Sequence, residues 1–497
     1  MNILHKLKQY KQLLFSLMSI VFIGFCLRMW GIGDQPLWTD EGHSWFKSTL
    51  PWSEIMDNMA IKDVHPPFYY ILLSLIGAEN NEINLRLPSV LFSVGSVGIV
   101  WFMGIISENL KTASIASLLI AISPLHIQYS QEVRHYAAFE FFSSLSCLGL
   151  LIFIKQWWNP FVKNRFRSDS DNYIFYKKAM LPAVLVVFGT AASLWTSNTS
   201  IFLLLSINLT VLLIFLKVHS ESRLIFLKIW FFYQTLILII WSFWVPSLIH
   251  QSNYDSWITD KGFDSLYNVV NDFWAYFIFS YRPIFTIFFM TLVALGITRA
   301  KNKNCAYVLT SLVIIPLISN LVVSYWSPML VTRSLIWVSL PLFVLIAIGL
   351  SSIKKKVFFY SSFIFVVLIQ FQGLWIYWND FSKERWDLVI QYLHNNKKLG
   401  DAVVLSPPWV SDAFEYYWRK HNKDQTYKIA DPNDEKLVFK HKDQHQTLWF
   451  IGAHQAGFEG SLAQSLKTNM SCNIQIKFDS YGFKNQCRYC LYIMHCE

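Results

Sequence analysis

The sequence predicts a mainly α protein, in which a bundle of membrane-spanning helices precedes a small α/β domain outside the membrane. Three observations indicate this fold class. Of the 497 residues, 54% are hydrophobic, 17% are aromatic and only 15% are charged, which is more apolar surface than one soluble core buries. Apolar runs long enough to cross a bilayer recur along residues 1–377. The remaining segment, 378–497, is polar and contains short strand-like runs.

The apolar runs, each of roughly 17–23 residues, define about eleven spans, since about 20 residues cross the hydrocarbon core. They lie near residues 12–30, 87–107, 112–128, 137–155, 179–197, 199–217, 226–247, 283–299, 306–325, 332–350 and 357–377. The first run is too long for the apolar part of a signal peptide and lacks a small-residue cleavage site. We therefore expect it to be retained as a span.

Basic residues predict the orientation of the spans. The loops on one side are rich in lysine and arginine, from Lys6, Lys8 and Lys11 at the start to Lys354, Lys355 and Lys356 before the last span. The short loops on the other side hold little beyond Arg134, Lys261, Arg282 and Arg333. The positive-inside rule then places the N-terminus in the cytoplasm, and an odd number of spans places the last segment outside. This distribution also accounts for the net charge of +10 without a nucleic-acid partner.

The outer segment, 378–497, is long enough to form a domain of its own beside the membrane module, 1–377. Strand-like runs lie at 402–405, 448–451 and 491–494. The interval 411–420 is helix-like, because Phe414, Tyr417 and Trp418 recur at helical spacing. These elements predict a small extracytoplasmic α/β domain.

The cysteines divide by location. Cys26 and Cys147 fall inside spans and Cys305 near the cytoplasmic face, where a cysteine usually acts as a small apolar residue. The outer segment holds the other four, Cys472, Cys487, Cys490 and Cys496. In an oxidising compartment these four permit two disulfides in three connectivities. The spacing of Cys487 and Cys490 also suits half a zinc site or a redox pair, but no second pair of spaced ligands accompanies it.

The first outer loop, from about residue 31 to residue 86, carries an acidic pair directly after the first span. A carboxylate such as Asp40 at a poorly hydrated membrane edge could take a proton from a hydroxyl nucleophile. Adjacent helical residues point about 100° apart, so on a helix Asp40 and Glu41 would not both face one pocket. One would be the base and the other structural. The competing interpretation is that both favour a helix N-terminus.

His65 is followed by two prolines, which fix the backbone and bias His65 toward an extended geometry. A histidine held in this way could donate to a phosphate or orient a carboxylate. The competing interpretation of the diproline is a plain helix start.

Arg86 and Arg134 are candidates to bind a lipid phosphate through paired hydrogen bonds. Arg134 lies in the second polar outer loop, about 128–136, with Glu132 and Tyr136. For a single arginine, interfacial snorkelling is the simpler explanation. Acid, histidine and arginine nevertheless recur on one face, where an unneeded charge is disfavoured.

Several other chemistries have no local support. The patterns GxxxxGK[ST], HExxH and GxSxG are absent from the sequence, which argues against a nucleotide-driven pump, a zincin and an α/β-hydrolase. Asn198-Thr199-Ser200 fits a glycosylation acceptor, but it lies in a very short turn between spans. We interpret that match as coincidental.

Taken together, four segments resemble the GT-C membrane glycosyltransferases, specifically the protein-mannosyltransferase and aminoarabinose-transferase-like group. The matching segments are Leu37-Trp38-Thr39-Asp40-Glu41, Val64-His65-Pro66-Pro67-Phe68-Tyr69-Tyr70, Leu85-Arg86-Leu87-Pro88-Ser89 and residues 123–136. Glu384-Arg385-Trp386 and residues 400–404 are similar to the start of the outer domain in bacterial members. The chain departs from the pattern at Asn198, since relatives often have a histidine after the threonine of this turn.

The resemblance implies a GT-C-like bundle whose first outer loop carries the catalytic acid, with Asp40 and Glu41 as candidates. It implies donor or phosphate binding by His65, Arg86, Glu132, Arg134 and Tyr136. It further implies that a sugar passes with inversion from a polyprenyl-phosphate carrier to an acceptor hydroxyl on a glycan, lipid or protein. A multi-pass protein of the bacterial inner membrane is expected, in contact with membrane lipids. The resemblance identifies no certain cofactor besides the polyprenyl-phosphate sugar as donor substrate, and a divalent cation is left open.

Two other functions compete with glycosyl transfer. A transporter or lipid flippase would place polar groups in the middle of its spans, whereas here the ionisable residues concentrate at span ends and in loops. An adhesion or receptor protein would leave the polar set of the first loop unexplained.

Overall fold

A computed structural model describes residues 2–61, 63–77, 81–157, 169–215, 223–252, 258, 262–398, 401–421, 448–453, 472–478, 482–483 and 490–496. The α-helices of the membrane module are α1 (Asn2–Met29), α2 (Thr39–Ser48), α3 (Trp52–Ile61), α4 (Phe68–Ile76), α5 (Glu82–Ser107), α6 (Leu110–Ala121), α7 (Pro124–Ser130), α8 (Tyr136–Trp157), α9 (Asp169–Thr196), α10 (Ile201–Phe215), α11 (Arg223–Trp241), α12 (Val245–Gln251), α13 (Phe263–Ala275), α14 (Arg282–Arg299), α15 (Lys303–Ser324), α16 (Ser339–Ser351) and α17 (Lys356–Asn379). Short 3-10 helices occur at Asn198–Ser200, Ser242–Trp244 and Thr332–Val338.

The outer segment adds two helices, α18 (Trp386–Asn396) and α19 (Ser411–His421). A further 3-10 turn lies at Pro408–Val410. The strands are β1 (Phe381–Ser382), β2 (Ala402–Ser406), β3 (Leu448–Ala453), β4 (Asn473–Phe478), β5 (Gly482–Phe483) and β6 (Leu491–Cys496).

The membrane module confirms the predicted helical bundle. In the described part of the chain, nine helices or helix combinations are long and apolar enough to span a membrane. The bent pair of α6 and α7 forms a tenth. A shorter apolar helix, Met180–Thr196, occupies the remaining predicted run. Each of the eleven runs expected from the sequence therefore corresponds to an apolar helix.

The break between α6 and α7 positions the second polar loop. The two helices meet at 55°, and α7 begins at Pro124, which suits a first helical position. The break leaves the last carbonyls of α6 without helical partners. Arg28, fully buried in the last turn of α1, donates to the carbonyls of Ala121 (3.0 Å) and Ile120 (3.2 Å). Arg28 therefore stabilises the bend that positions residues 131–135.

The outer segment forms a four-stranded sheet in the order β2-β3-β6-β4. Strands β2 and β3 are parallel, with Val404 opposite Phe450, and the other pairs are antiparallel. Trp386 and Ile390 of α18, Phe414 of α19 and Leu405 of β2 are all fully buried in one apolar cluster. The predicted strands and the helix at 411–420 are confirmed. Strand β4 was not predicted, although residues 473–478 alternate between polar and apolar side chains, a pattern typical of a half-exposed strand.

The described cysteines agree with the sequence analysis. Cys472 and Cys490 are both disulfide-bonded, as predicted for the outer segment. Cys487 and the side chain of Cys496 lie outside the described part of the structure. Cys26, Cys147 and Cys305 are free thiols.

The topology gives a first testable prediction. A reporter fused after Lys356 should stay in the cytoplasm and one fused after Glu497 should be translocated, because basic residues favour the cytoplasmic side. Alkaline phosphatase and green fluorescent protein fusions would measure this, with a fusion at Lys301 as a second cytoplasmic control. Finding both ends of α17 on the same side would contradict the orientation.

Candidate functional site

Helix α2 of the first outer loop has two polar faces with different surroundings. Glu41, Trp45 and Ser48 lie on a buried face. Asp40 and Lys47 lie on the other face and remain partly accessible, with side chains 27% and 22% exposed. The acidic pair is therefore divided between the interior and an accessible site, as the angular spacing of helical residues requires.

Glu41 is fully buried and holds the loop together. Its Oε1 accepts from Arg86 Nε (2.8 Å) and from the backbone N–H of Val133 (2.8 Å). Its Oε2 accepts from Arg86 Nη2 (2.9 Å) and Lys383 Nζ (2.9 Å). Burial alone would raise the pKa of Glu41, but the charges of Arg86 and Lys383 lower it to about 2. Glu41 is the structural member of the acidic pair, since no substrate could reach it in this arrangement.

Arg86 is also fully buried, and its guanidinium is saturated. Besides the two bonds to Glu41, Nη1 donates to the carbonyls of Ile32 and Gln35 (both 2.7 Å), and Nη2 donates to the carbonyl of Pro36 (2.9 Å). All five N–H donors of an arginine are thereby used. No donor is left for a lipid phosphate, so the phosphate-binding role expected from the sequence is not carried forward for Arg86.

The segment after α17 completes this buried network, and sequence analysis missed most of it. Lys383 Nζ bonds Glu41 and the carbonyl of Gln131 (2.9 Å). Glu384 Oε2 accepts from the backbone N–H (2.9 Å) and hydroxyl (2.5 Å) of Thr39, the first residue of α2. The Glu384 carboxylate thereby bonds a backbone N–H at the start of α2 that has no partner within the helix. The signal in the sequence was the Glu384-Arg385-Trp386 similarity, which did not extend to Lys383.

The outer segment also packs directly on α2. Tyr417 Oη accepts from the backbone N–H of Leu37 (2.7 Å), and the rings of Tyr416 and Trp45 meet edge to face at 5.1 Å. A Cβ at Gly42 would lie 2.5 Å from the backbone of Ala413. Only glycine allows this close approach, which holds α2 against α19.

Asp40 lies on the accessible face between two guanidiniums. Its Oδ2 is 4.0 Å from Arg134 Nη2 and 3.8 Å from Arg333 Nη1. The Cζ atoms of both arginines lie 5.7 Å from the ring centroid of Tyr136, within cation–π range. Arg333 enters from the 3-10 helix before α16, far away in sequence. In the sequence it was noted only as one of the few basic residues on the outer side.

Arg134 is held firmly by its neighbours. Its Nη1 donates to the backbone carbonyl of Asp40 (3.2 Å) and to Ser44 Oγ (3.4 Å). Its Nη2 donates to Nε2 of His65 (3.0 Å). The buried Nε of Arg134 has no hydrogen-bond partner among the described residues. The guanidinium is thus positioned by these protein contacts.

His65 acts as a neutral partner of Arg134. Burial, then neighbouring His135 and Arg134, lower the pKa of His65 well below its usual value, and the two imidazole rings lie 4.3 Å apart. Asp63 Oδ1 accepts from the backbone N–H of Val64 (2.6 Å) and of His65 (3.0 Å), which fixes the approach to the diproline. Helix α4 begins immediately after the diproline, so the helix-start interpretation also holds.

Lys47 adds a cation beside this face. It pairs with Asp63 and lies 5.4 Å from the ring centroid of Tyr70. Burial and the charge of Arg134 lower the pKa of Lys47 to about 8. Neither Lys47 nor Asp63 was singled out from the sequence.

Glu132 lies inside the protein rather than on the accessible face. It is fully buried, with Gln128 Nε2 donating to its Oε1 (3.2 Å). Burial raises the pKa of Glu132. The donor-binding role expected for Glu132 is therefore not carried forward, whereas Arg134, His65 and Tyr136 do converge around Asp40.

Asn198, the departure from the family pattern, connects three elements. Its Nδ2 donates to the carbonyl of Val64 (2.9 Å) and to Gln251 Oε1 (2.6 Å), and its Oδ1 accepts from Trp244 Nε1 (3.1 Å). Because Val64 precedes His65, this amide supports the loop that carries the histidine. A side chain used in this way is a structural contact, which agrees with the coincidental glycosylation match.

Around the partly accessible Asp40, the site combines this carboxylate with two arginines and a lysine. Such a set can hold an anion next to a proton acceptor. Within the described residues, no cluster of three or more histidine, cysteine or acidic side chains is arranged to hold a metal ion.

Known proteins resemble this chain in structure. No family model matches the sequence, and no curated protein matches it. ArnT from Cupriavidus metallidurans aligns over 96% of this chain and 97% of its own, with a TM-score of 0.58 and 10% identity. A structure of that protein bound to undecaprenyl phosphate gives a TM-score of 0.56 at 10% identity. The oligosaccharyltransferase of Archaeoglobus fulgidus aligns over 95% of this chain and 74% of its own, with a TM-score of 0.54 and 11% identity.

At such low identity these similarities establish the fold. The chain shares the fold of ArnT and of the archaeal oligosaccharyltransferase, and the predicted fold class, a bundle of membrane-capable helices with a small α/β part, is confirmed.

Proposed function

We propose that this chain is a membrane glycosyltransferase, which moves a sugar from a polyprenyl-phosphate carrier to an acceptor hydroxyl on the outer face. The observation that carries the proposal is Asp40, an accessible carboxylate within 4.0 Å of Arg134 and Arg333. Structural neighbours support it, since ArnT has been captured with undecaprenyl phosphate and the archaeal oligosaccharyltransferase with dolichol phosphate.

Arg134 and Arg333 would hold the donor phosphate. Both guanidiniums keep their charge at any physiological pH. Arg333, whose side chain is 23% exposed, is the more accessible of the two guanidiniums. Tyr136 would keep the two guanidiniums apart and aligned, because each lies against its ring. His65 would position Arg134 rather than contact the phosphate, since its Nε2 already accepts from that guanidinium.

The reaction needs a base and a site for the leaving group. The acceptor oxygen would attack the anomeric carbon while the bond from that carbon to the phosphate oxygen breaks. The acceptor proton would pass to Asp40, and the electron pair of the broken bond would leave with the polyprenyl phosphate. The phosphate gains one negative charge in this step, and charge that develops in the transition state is what fixed cations stabilise best.

Inversion follows from a single displacement. Asp40 is the accessible carboxylate of the acidic pair, and Glu41 is buried in its own ion pairs. One base without a second carboxylate nucleophile suits direct attack by the acceptor. The donor phosphate would also compete with Asp40 for the two arginines, so donor binding would free the carboxylate to accept the proton.

The proposed function places the site outside the cytoplasm, at the membrane surface of a bacterial inner membrane. The carrier chain would lie among the apolar spans, and the acceptor would be a glycan, a lipid or a protein that reaches this face.

Binding of undecaprenyl phosphate tests the proposal. Arg134→Ala and Arg333→Ala should each weaken binding to protein in nanodiscs by about 10- to 100-fold, because a charge-assisted hydrogen bond contributes roughly 1.5–3 kcal/mol. Arg134→Lys keeps the positive charge but loses the paired N–H donors of the guanidinium. It should therefore bind undecaprenyl phosphate more tightly than Arg134→Ala does. Arg385→Ala, in an exposed pair with Asp387, is the matched control.

Two results would contradict the proposal. One is a wild-type protein that does not bind undecaprenyl phosphate, and the other is binding that neither arginine variant changes. Release of free undecaprenyl phosphate from its sugar-linked form separates a transferase from a flippase, since a flippase would move the lipid and leave that bond intact.

A further inference from the structure

A second titratable pair lies where α2 meets α19 of the outer segment. His43 Nδ1 is 2.5 Å from Asp412 Oδ2, and the two side chains are 25% and 19% exposed. An ionised carboxylate only accepts hydrogen bonds, so Nδ1 carries a proton, and in the neutral imidazole Nε2 then presents a lone pair. In the described part of the chain, no residue forms a hydrogen bond with that Nε2.

The pair lies beside the proposed base. His43 follows Asp40 by three residues on α2, and side chains at this spacing are neighbours, with Cβ atoms about 5–6 Å apart. Lys47, one turn further along, interacts electrostatically with both Asp40 and Asp412. The charged groups around His43 are therefore Asp40 and Lys47 from its own helix and Asp412 from α19, with Arg134 close to Lys47.

A proton on Asp40 has to leave before another turnover. While Asp40 is neutral, Arg134 and Arg333 lose the carboxylate that lies between them, and after the product phosphate departs they face each other without a counter-charge. An ionised Asp40 is needed again at that point. His43 offers an unoccupied lone pair one helical turn away, and Asp412 would stabilise the imidazolium that forms.

We propose that His43 takes the proton from Asp40, directly or through one water, and passes it to solvent, with Asp412 as its positioning residue. The inference rests on the glycosyltransferase function proposed above. Asp40 Oδ loses the proton, His43 Nε2 gains it, and the imidazolium keeps its Nδ1–H on Asp412. The exposed quarter of the His43 side chain then releases the proton to water. The outer segment thereby contributes a residue to proton transfer at the membrane site.

The experiment follows release of undecaprenyl phosphate from undecaprenyl-phosphate hexoses and aminopentoses by full-length protein in nanodiscs. His43→Ala should lower kcat by roughly 10²-fold, in the range of a positioned proton-transfer group, while affinity for undecaprenyl phosphate stays unchanged. Added imidazole should restore much of the lost rate. His43→Gln keeps a hydrogen-bond donor for Asp412 but cannot accept a proton, so it should be as slow as His43→Ala.

Asp412→Asn should lower kcat in the same direction by a smaller factor. Glu415→Gln is its matched control, because Glu415 lies one turn further along α19 in a surface pair with Arg419 and should leave kcat unchanged. If the hydrogen bond between His43 and Asp412 only held α2 against α19, the opposite pattern would be expected. His43→Gln would then restore the rate and imidazole would have no effect.

Failure of the role of His43 can be distinguished from failure of the proposed function. If wild-type protein binds undecaprenyl phosphate and releases it from a sugar, while His43→Ala is fully active or is not rescued by imidazole, the proton-transfer role of His43 is wrong and the proposed function stands. If wild-type protein neither binds nor releases undecaprenyl phosphate, the proposed function fails and the role of His43 fails with it.

Discussion

Replacing Asp40 by asparagine is expected to lower sugar transfer by roughly 10²–10⁴-fold, the usual effect of removing a positioned base. Asparagine keeps the size of the side chain and can still accept a hydrogen bond, but it cannot take the proton of the acceptor. Affinity for undecaprenyl phosphate should not fall, because the arginines proposed to bind the phosphate remain and lose a competing carboxylate. Initial rates and equilibrium binding in nanodiscs would measure the two effects separately.

The matched control for this substitution is Asp57→Asn. Asp57 is an exposed carboxylate on α3 of the same outer loop, and its loss should leave transfer unchanged. Near-normal transfer by Asp40→Asn, in protein that is folded and still binds undecaprenyl phosphate, would remove Asp40 from the role of base. The arginine site would then need a different proton acceptor.

The membrane part of the fold was predictable because bilayer thickness constrains sequence directly. A span must be long and apolar wherever it occurs, so the eleven runs could be located without any tertiary information. Strand β4 had no comparable constraint. It is an edge strand beside β6 with Ile474 44% exposed, and six residues of alternating polarity are a much shorter signal than a membrane span.

The site was predictable only where its residues share short local motifs. Asp40, His65 and Arg134 lie in the two outer loops that the sequence singled out, and the structure places them together. Arg333 and Lys383 come from residues beyond the region of strong family resemblance. Their proximity to Asp40 and Glu41 depends on how the later helices pack, which no local pattern encodes.

Burial separated roles that sequence could not separate. From the sequence, Arg86 and Arg134 were both candidates for a phosphate, and Asp40 was preferred to Glu41 as the base only through the family resemblance. In the structure, one arginine and one acid, Arg86 and Glu41, are buried inside the protein. They neutralise each other through a two-bond ion pair. Of the remaining two, Asp40 is partly accessible, and Arg134, although buried, lies beside it. The loop thus uses one acid and one arginine for its own stability and presents one of each for chemistry.

This division predicts that Glu41→Gln destabilises the protein by about 3–5 kcal/mol, the usual cost of breaking a buried ion pair by removing one partner. The substitution leaves Arg86 and Lys383 as buried cations without their carboxylate. Unfolding by SDS titration in mixed micelles would measure the loss. Glu54→Gln, at an exposed position of α3, is the control and should stay within about 0.5 kcal/mol of wild type.

A second substitution tests the cause of that loss. Adding Lys383→Met to Glu41→Gln removes one of the two uncompensated cations, so the double variant should be more stable than the sum of the single changes, by roughly 0.5–3 kcal/mol. Stability should also fall at low pH, where Glu41 loses its charge, as it does when Glu41 is replaced by glutamine. Because the pKa of Glu41 falls from 4.5 to about 2 in the folded protein, its contribution is complete above about pH 4.5 and is lost as pH falls toward 2. Strict additivity of the two substitutions would mean that Lys383 does not share the charge of Glu41, and the buried network would then reduce to the Glu41–Arg86 pair.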